Sequence, residues 1–173
     1  MTMTFMRTSR LIALLLLCAV TRSYAQLADI DPDWKETEVP PPPAFSTDRL
    51  IPLEMPRHLS TRFGVDPDSL RVTPDGIVRY VMVARSPGGN VNASYEGIRC
   101  LTAEVKIYAR HNTAGQWNAV SNAQWRPLNG NQPSLHALAL ARQGACEGRA
   151  ATAQSSAEIV RRLKNTNAGP SQH

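Results

Sequence analysis

The segment Tyr95-Glu96-Gly97-Ile98-Arg99-Cys100 holds the densest group of chemically capable side chains in this chain of 173 residues. If the strand-like stretch before it pairs with it, Arg79 and Arg85 come alongside. A glutamate among several guanidinium groups can act as base or orienter while the arginines clamp a carboxylate or a developing oxyanion. Arg79, Arg85, Glu96 and Arg99 are therefore the candidate ligand-binding set, serving a small-ligand binder or a hydrolase. The plainer alternative is a ladder of cross-strand ion pairs on a solvated face, each contributing under about 1 kcal/mol.

Other chemistry has less to stand on. The sequence contains no G-x-S-x-G elbow, H-E-x-x-H helix, phosphate loop, EF-hand loop or G-x-G-x-x-G turn. His58, His111, His136 and His173 are scattered, none three or four residues from another His or from Cys, and read as surface or capping residues. No metal site, no cofactor and no catalytic residue is expected.

The elements that must position the candidate set are legible from turn residues and periodicity. Thr73-Pro74-Asp75-Gly76 is a hairpin turn: Pro presets one dihedral and Gly accepts the positive one. The strand that follows, Ile77 to Arg85, alternates Val78, Tyr80 and Met82 against Arg79, Val81, Val83 and Arg85, so both faces are expected to be covered. Ser86-Pro87-Gly88-Gly89-Asn90 breaks the chain. Alternation then resumes over Gly97 to His111, which reads as one long amphipathic strand with Leu101, Ala103, Val105, Ile107 and Ala109 inward. After a turn at Asn112 to Gly115, one further strand is expected to carry Trp117 and Trp125 and to end at Pro127. Leu135 to Arg142, rich in Ala and Leu without β-branching, predicts a helix. Ser155 and Glu158 have capping-box spacing ahead of the stripe Ile159, Val160 and Leu163, which predicts a terminal helix. The expected fold class is α+β: an antiparallel meander of about four strands, a helix before Cys146 and a C-terminal helix packed on the sheet.

Composition bounds the rest. At 42% hydrophobic and 19% charged residues the chain is of ordinary globular make-up, which excludes disordered, collagen-like and polytopic membrane classes. Arg7 and Arg10 precede the apolar run Leu11 to Val20, and Ser23-Tyr24-Ala25 follows, the layout of a secretory signal cleaved after Ala25. A run of about ten helical residues reaches about 15 Å, half the hydrocarbon thickness, and no later segment approaches the length of a membrane span. Leu17 precedes Cys18 where lipid attachment favours a small residue, so lipidation is not expected. Removal of residues 1–25 leaves about 150 residues, one domain's worth. It also removes Arg7, Arg10 and Arg22, so most of the formal charge of +5 disappears. Nucleic-acid binding loses its electrostatic basis.

Residues 26–56 carry seven of the thirteen prolines, including Pro40-Pro41-Pro42-Pro43, and read as an extended acidic arm, a stiff spacer or a ligand for a partner. Trp34 is expected to dock on the globular part, since an exposed indole is costly to keep soluble. The globular domain is placed at 57–164 and a frayed tail at 165–173. Without Cys18, Cys100 and Cys146 remain in a chain bound for an oxidising space. One disulfide is the economical arrangement, contributing about 4 kcal/mol for a loop of that span. Two buried thiols are the alternative.

Asp31-Pro32-Asp33-Trp34-Lys35-Glu36, Val65-Asp66-Pro67-Asp68-Ser69-Leu70, Asp75-Gly76-Ile77-Val78-Arg79-Tyr80 and Tyr95-Glu96-Gly97-Ile98-Arg99-Cys100, taken in order, resemble the CNP-one-like family, small exported proteins of mostly Gram-negative bacteria. The resemblance spans roughly Asp31 to Leu163. It implies a periplasmic or envelope location and brings no catalytic residue with it. The expected role is a non-catalytic module that binds an envelope protein or cell-wall component through its sheet face or its proline segment.

Overall fold

The computed structural model describes residues 31–131, 133–151 and 155–167; the expected leader and the last residues of the expected tail lie outside them. Eight strands form one antiparallel sheet: β1 (Ile51–Pro52), β2 (Arg62–Val65), β3 (Arg71–Val72), β4 (Ile77–Arg85), β5 (Val91–Arg99), β6 (Glu104–His111), β7 (Trp117–Ala119) and β8 (Arg126–Pro127). Their order is β1-β2-β4-β5-β6-β7, with β3 also beside β4 and β8 beside β6. Helix α1 (Leu135–Leu140) widens into a π turn over Ala141–Ala145. The two-residue strands β9 (Cys146–Glu147) and β10 (Ala150–Ala151) and helix α2 (Ser156–Asn167) complete the chain. The class is α+β, and β4 to β7 are the meander.

The turn before β4 forms as its residues dictate. Gly76 takes φ +79° and its N–H donates to Thr73 O at 2.9 Å, while Thr73 N–H donates to Ile77 O at 3.0 Å. Alternation along β4 divides the core in two. Val78, Tyr80 and Met82 face the helices with Ile98, Val105, Leu140, Ile159 and Leu163. Val81 and Val83 face the other way with Tyr95, Tyr108 and Ala109, and there Val39, Phe45 and Leu50 of the N-terminal arm pack on them. The architecture is therefore three layers: helices, sheet and the chain's own arm. Ile51 and Leu53 also enter the helix-side core, and β1 occupies the sheet edge, where Pro52 is tolerated.

Two expected strands form differently. The stretch Gly97 to His111 is not one strand but the end of β5 and the whole of β6, because Cys100 to Ala103 reverse the chain and Arg99 pairs with Glu104. Ala103 N–H donates to Cys100 O at 3.3 Å, and Ala103 adopts φ +54° with no glycine to announce the turn. Leu101 is half-buried and Ala103 exposed, so neither is the inward residue that alternation predicts. A bulge shifts the phase again: Tyr95 pairs with Ala109 and Glu96 with Ile107, leaving Tyr108 as the extra residue. Beyond β6, the one strand expected through Trp117 and Trp125 is two short strands, β7 and β8, each paired with a different end of β6. The C-terminal helix runs to Asn167, three residues into the segment expected to fray. Cys100 and Cys146 form a disulfide with Cα atoms 5.7 Å apart, tying the β5–β6 turn to the end of the π turn.

Candidate functional site

The register of β4 and β5 decides where the candidate residues go. Tyr80 pairs with Glu96 and Arg79 with Gly97, so Glu96 faces the helices while Arg79 faces the arm. Arg99, opposite Ile77, shares the arm side. Arg85 pairs with Val91 at the far end of β4 and is exposed. The four residues therefore do not converge. Glu96 stands alone on one face, Arg79 and Arg99 lie on the other, and Arg85 is remote in register.

On the helix side Glu96 is fully buried. Its Oε2 accepts from Tyr80 OH at 2.8 Å, its Oε1 accepts from Ser94 Oγ, and both oxygens accept from His136 Nε2 at 3.0 Å. Burial alone would raise the Glu96 carboxyl, but His136, Ser94 and Tyr80 together hold it below its ordinary value. Burial would likewise lower His136; the Glu96 carboxylate outweighs it and raises the imidazole, with Arg110 opposing. Ring stacking on Phe63, with centroids 5.1 Å apart and planes 9° from parallel, fixes the imidazole plane.

His136 was expected at the surface and is instead buried. The missed signal was helical phase: positions 136, 137, 140 and 141 share one face, and Ala137, Leu140 and Ala141 are core residues. Since an ionised carboxylate only accepts, Nε2 carries the proton shared with Glu96. Nδ1 is buried and has no hydrogen-bond partner. Two adjoining cavities of about 160 and 200 Å³ are both lined by Ile107, Arg110, Pro133 and His136, and the first also by Arg126. Arg110 and Arg126 are exposed on the cleft formed by this pair of cavities.

On the arm side Arg79 is the hub of a lock. Its Nη2 pairs with Asp75 Oδ2 at 3.0 Å and Glu36 Oε1 at 3.6 Å, and its Nη1 donates to Thr73 Oγ1. Glu36 also accepts from Lys106 Nζ at 2.8 Å and Tyr108 OH at 2.7 Å. Asp75 Oδ2 accepts from Thr37 N–H at 3.0 Å and Thr37 Oγ1 at 2.7 Å. Burial opposes ionisation of Asp75, yet hydrogen bonds from Thr73, Thr37 and Arg79 hold its carboxyl well below the usual range. The expected docking of Trp34 is present: its Nε1 donates to Asp75 O at 2.9 Å and Arg99 lies over its ring. Gly97 leaves the room this packing needs, because a Cβ there would meet Tyr108 OH at 2.5 Å and Ile77 Cγ2 at 2.8 Å.

Among the described residues no group of three His, Cys, Asp or Glu side chains could hold a metal ion, and no helix is long and apolar enough to cross a membrane. The fold and its two polar centres define a small disulfide-tied α+β domain, clad by helices on one face and by its own N-terminal arm on the other. The chain belongs to the CNP1-like family, which matches residues 29–164. It is 28% identical over 141 residues to Cryptic neisserial protein 1 of Neisseria gonorrhoeae (strain ATCC 700825 / FA 1090), covering 73% of this chain and 68% of that protein. No solved structure matches the chain.

Proposed function

We propose that this chain is exported after cleavage near Ala25 and works in the periplasm or cell envelope as a non-catalytic binding module, its binding face being the cleft beneath α1. The observation that carries this reading is His136: one nitrogen fixed on a fully buried glutamate, the other without a protein partner, in a residue that lines two adjoining cavities beside Arg110. Such an arrangement suits a polar ligand group, since a buried ring nitrogen left unpaired is costly. The second sheet face is less free to bind a partner, because Val39, Phe45 and Leu50 of the arm pack there on Tyr95, Tyr108 and their neighbours. The leader-like residues 1–25 and the disulfide support export.

Isotope-labelled chain comprising residues 26–173, titrated with soluble cell-wall glycopeptide fragments, tests the reading. Amide shifts are expected to cluster at Ile107, Arg110 and His136, and Arg110→Gln is expected to weaken binding about tenfold without altering the fold. Absence of shifts at this cleft at millimolar fragment, together with no adduct in the envelope from a photo-crosslinker placed at Arg126, would overturn it.

A hydrolase is the second reading, favoured by the carboxylate-to-imidazole orientation itself, Glu96 orienting His136 as base. No serine, threonine or cysteine among the described residues hydrogen-bonds His136, and Glu96 favours the imidazolium, the wrong state for a base. Turnover of a fluorogenic ester panel that disappears in His136→Asn would establish this second reading over the first.

A further inference from the structure

Arg99 poses a different question on the opposite face of the sheet. It is only 9% exposed, and its guanidinium carbon lies 3.5 Å from the centroid of the Trp34 ring. Its Nη2 is buried and makes no hydrogen bond. None of the ion pairs among the described residues involves it. Arg79, also buried on this face, differs in having two carboxylates, Asp75 and Glu36, beside its terminal nitrogens, although its Nε too lacks a partner. Those two carboxylates are already occupied by Arg79, Lys106, Tyr108, Thr37 and Thr73. A guanidinium cannot shed its proton to relieve burial, so its charge favours an anionic partner over a neutral acceptor.

The space for one is present. Arg99 lines a cavity of about 580 Å³ between Trp34, the Thr73 to Gly76 turn and the β9–β10 hairpin. On its wall the exposed Arg149 donates from Nε to Leu101 O at 3.0 Å, which commits the inner nitrogen and holds the side chain beside Leu101. Val72, Leu101 and Ala151 supply apolar surface. Trp34 cannot swing away freely, because its indole N–H is bonded to Asp75 O and its ring meets Trp125 edge-on at 6.3 Å.

We propose that this cavity binds a small organic monocarboxylate, its oxygens accepting from Arg99 and Arg149 while its apolar body lies against Trp34 and Leu101. A planar carboxylate matches the edge of a guanidinium whose face is taken by the indole. Asp75 is among the lining residues, its carboxylate buried against Arg79, and its charge weighs more against a dianion than a monoanion, so phosphate is the poorer fit. This site is distinct from the cleft beneath α1, and neither requires the other.

Tryptophan emission and calorimetry on chain 26–173 provide the test, with benzoate, acetate and inorganic phosphate as probes and ionic strength held by chloride. Benzoate is expected to saturate an emission change at millimolar concentration, ahead of acetate and phosphate. Arg99→Gln is expected to weaken it about thirtyfold or more, and Arg149→Gln about threefold to tenfold. Arg110→Gln, in the other cleft, is expected to leave it unchanged. If Arg99→Gln fails to fold by circular dichroism, the exposed Arg149→Gln decides. No saturable response beyond the chloride control, equal binding in Arg149→Gln, or a preference for phosphate overturns the proposal.

Discussion

Replacing Glu96 by glutamine keeps shape and volume but removes the charge that His136 sits against. In the native protein the carboxylate is fully buried and its two oxygens serve Tyr80, Ser94 and His136. The amide can still accept at one oxygen, but its nitrogen faces a donor, and the imidazole loses its counter-charge in a buried site. Breaking a buried pair from one side costs about 3–5 kcal/mol, most of it the penalty of the partner left behind. For a domain of this size that corresponds to a fall in melting temperature of roughly 6–20 °C. Phenylalanine at 136 retains the stack on Phe63 while stranding Glu96, so Glu96→Gln and His136→Phe form two sides of a double-mutant cycle. The double variant is expected to be more stable than the sum of the singles by about 2 kcal/mol, because no charge is then buried alone. Urea unfolding at neutral pH, with midpoints and slopes compared across the four proteins, measures it. A Glu96→Gln protein melting within about 2 °C of the parent, or a coupling near zero, would refute the claim that this pair is energetically one unit.

Stability is expected to be flat over a window of pH and to fall on both sides. Glu96 and Asp75, lowered from ordinary values of 4.5 and 3.8, contribute above those values and lose their contribution as pH falls through their folded-state values. His136, raised from 6.5, contributes below that value and loses its contribution as pH rises through its folded-state value; melting curves of Glu96→Gln are expected to lack this alkaline decline. Gly97→Ala is expected to destabilise by about 1–3 kcal/mol, since the added methyl meets Tyr108 and Ile77, and a melt unchanged from the parent would show that the arm side has slack. Reduction of the 46-residue Cys100–Cys146 loop, or paired serine substitution, is expected to cost about 4 kcal/mol in denaturant unfolding. Glu36→Gln is expected to free the arm locally, read as faster amide exchange at Thr37 and a red shift of Trp34 emission, while the melting temperature moves by only a few degrees.

Much of the scaffold was legible because it rests on local rules. Pro74 and Gly76 mark a turn wherever they occur in that order, period-two alternation places Ile77 to Arg85 in a strand, and the Ala-Leu run from Leu135 forms a helix whose period already aligns position 136 with the core. The candidate site was legible only in part. The expectation of a shared pocket for Arg79, Arg85, Glu96 and Arg99 rests on residue type and strand pairing and leaves out the phase of each strand. Arg79 pairs with Gly97, one position from Glu96, and one position in a sheet is the opposite face.

By itself the sequence determined the α+β class, the hairpin turn and the two helices, each of which depends on neighbours in the chain, while the disulfide was one of two arrangements it left open until the structure joined Cys100 to Cys146. Tertiary structure decided which charges meet. Glu96 finds His136 forty residues away, and Arg79 finds Glu36 in an arm with no regular structure. The β4–β5 register sets the faces of Glu96 and Arg79, and the turn at Cys100 to Ala103 and the bulge at Tyr108 then reset side-chain phase along β6 with no glycine or proline to mark them. A period of two carries no memory across a bulge, so the face on which a buried charge lands becomes known only when the strands have been paired.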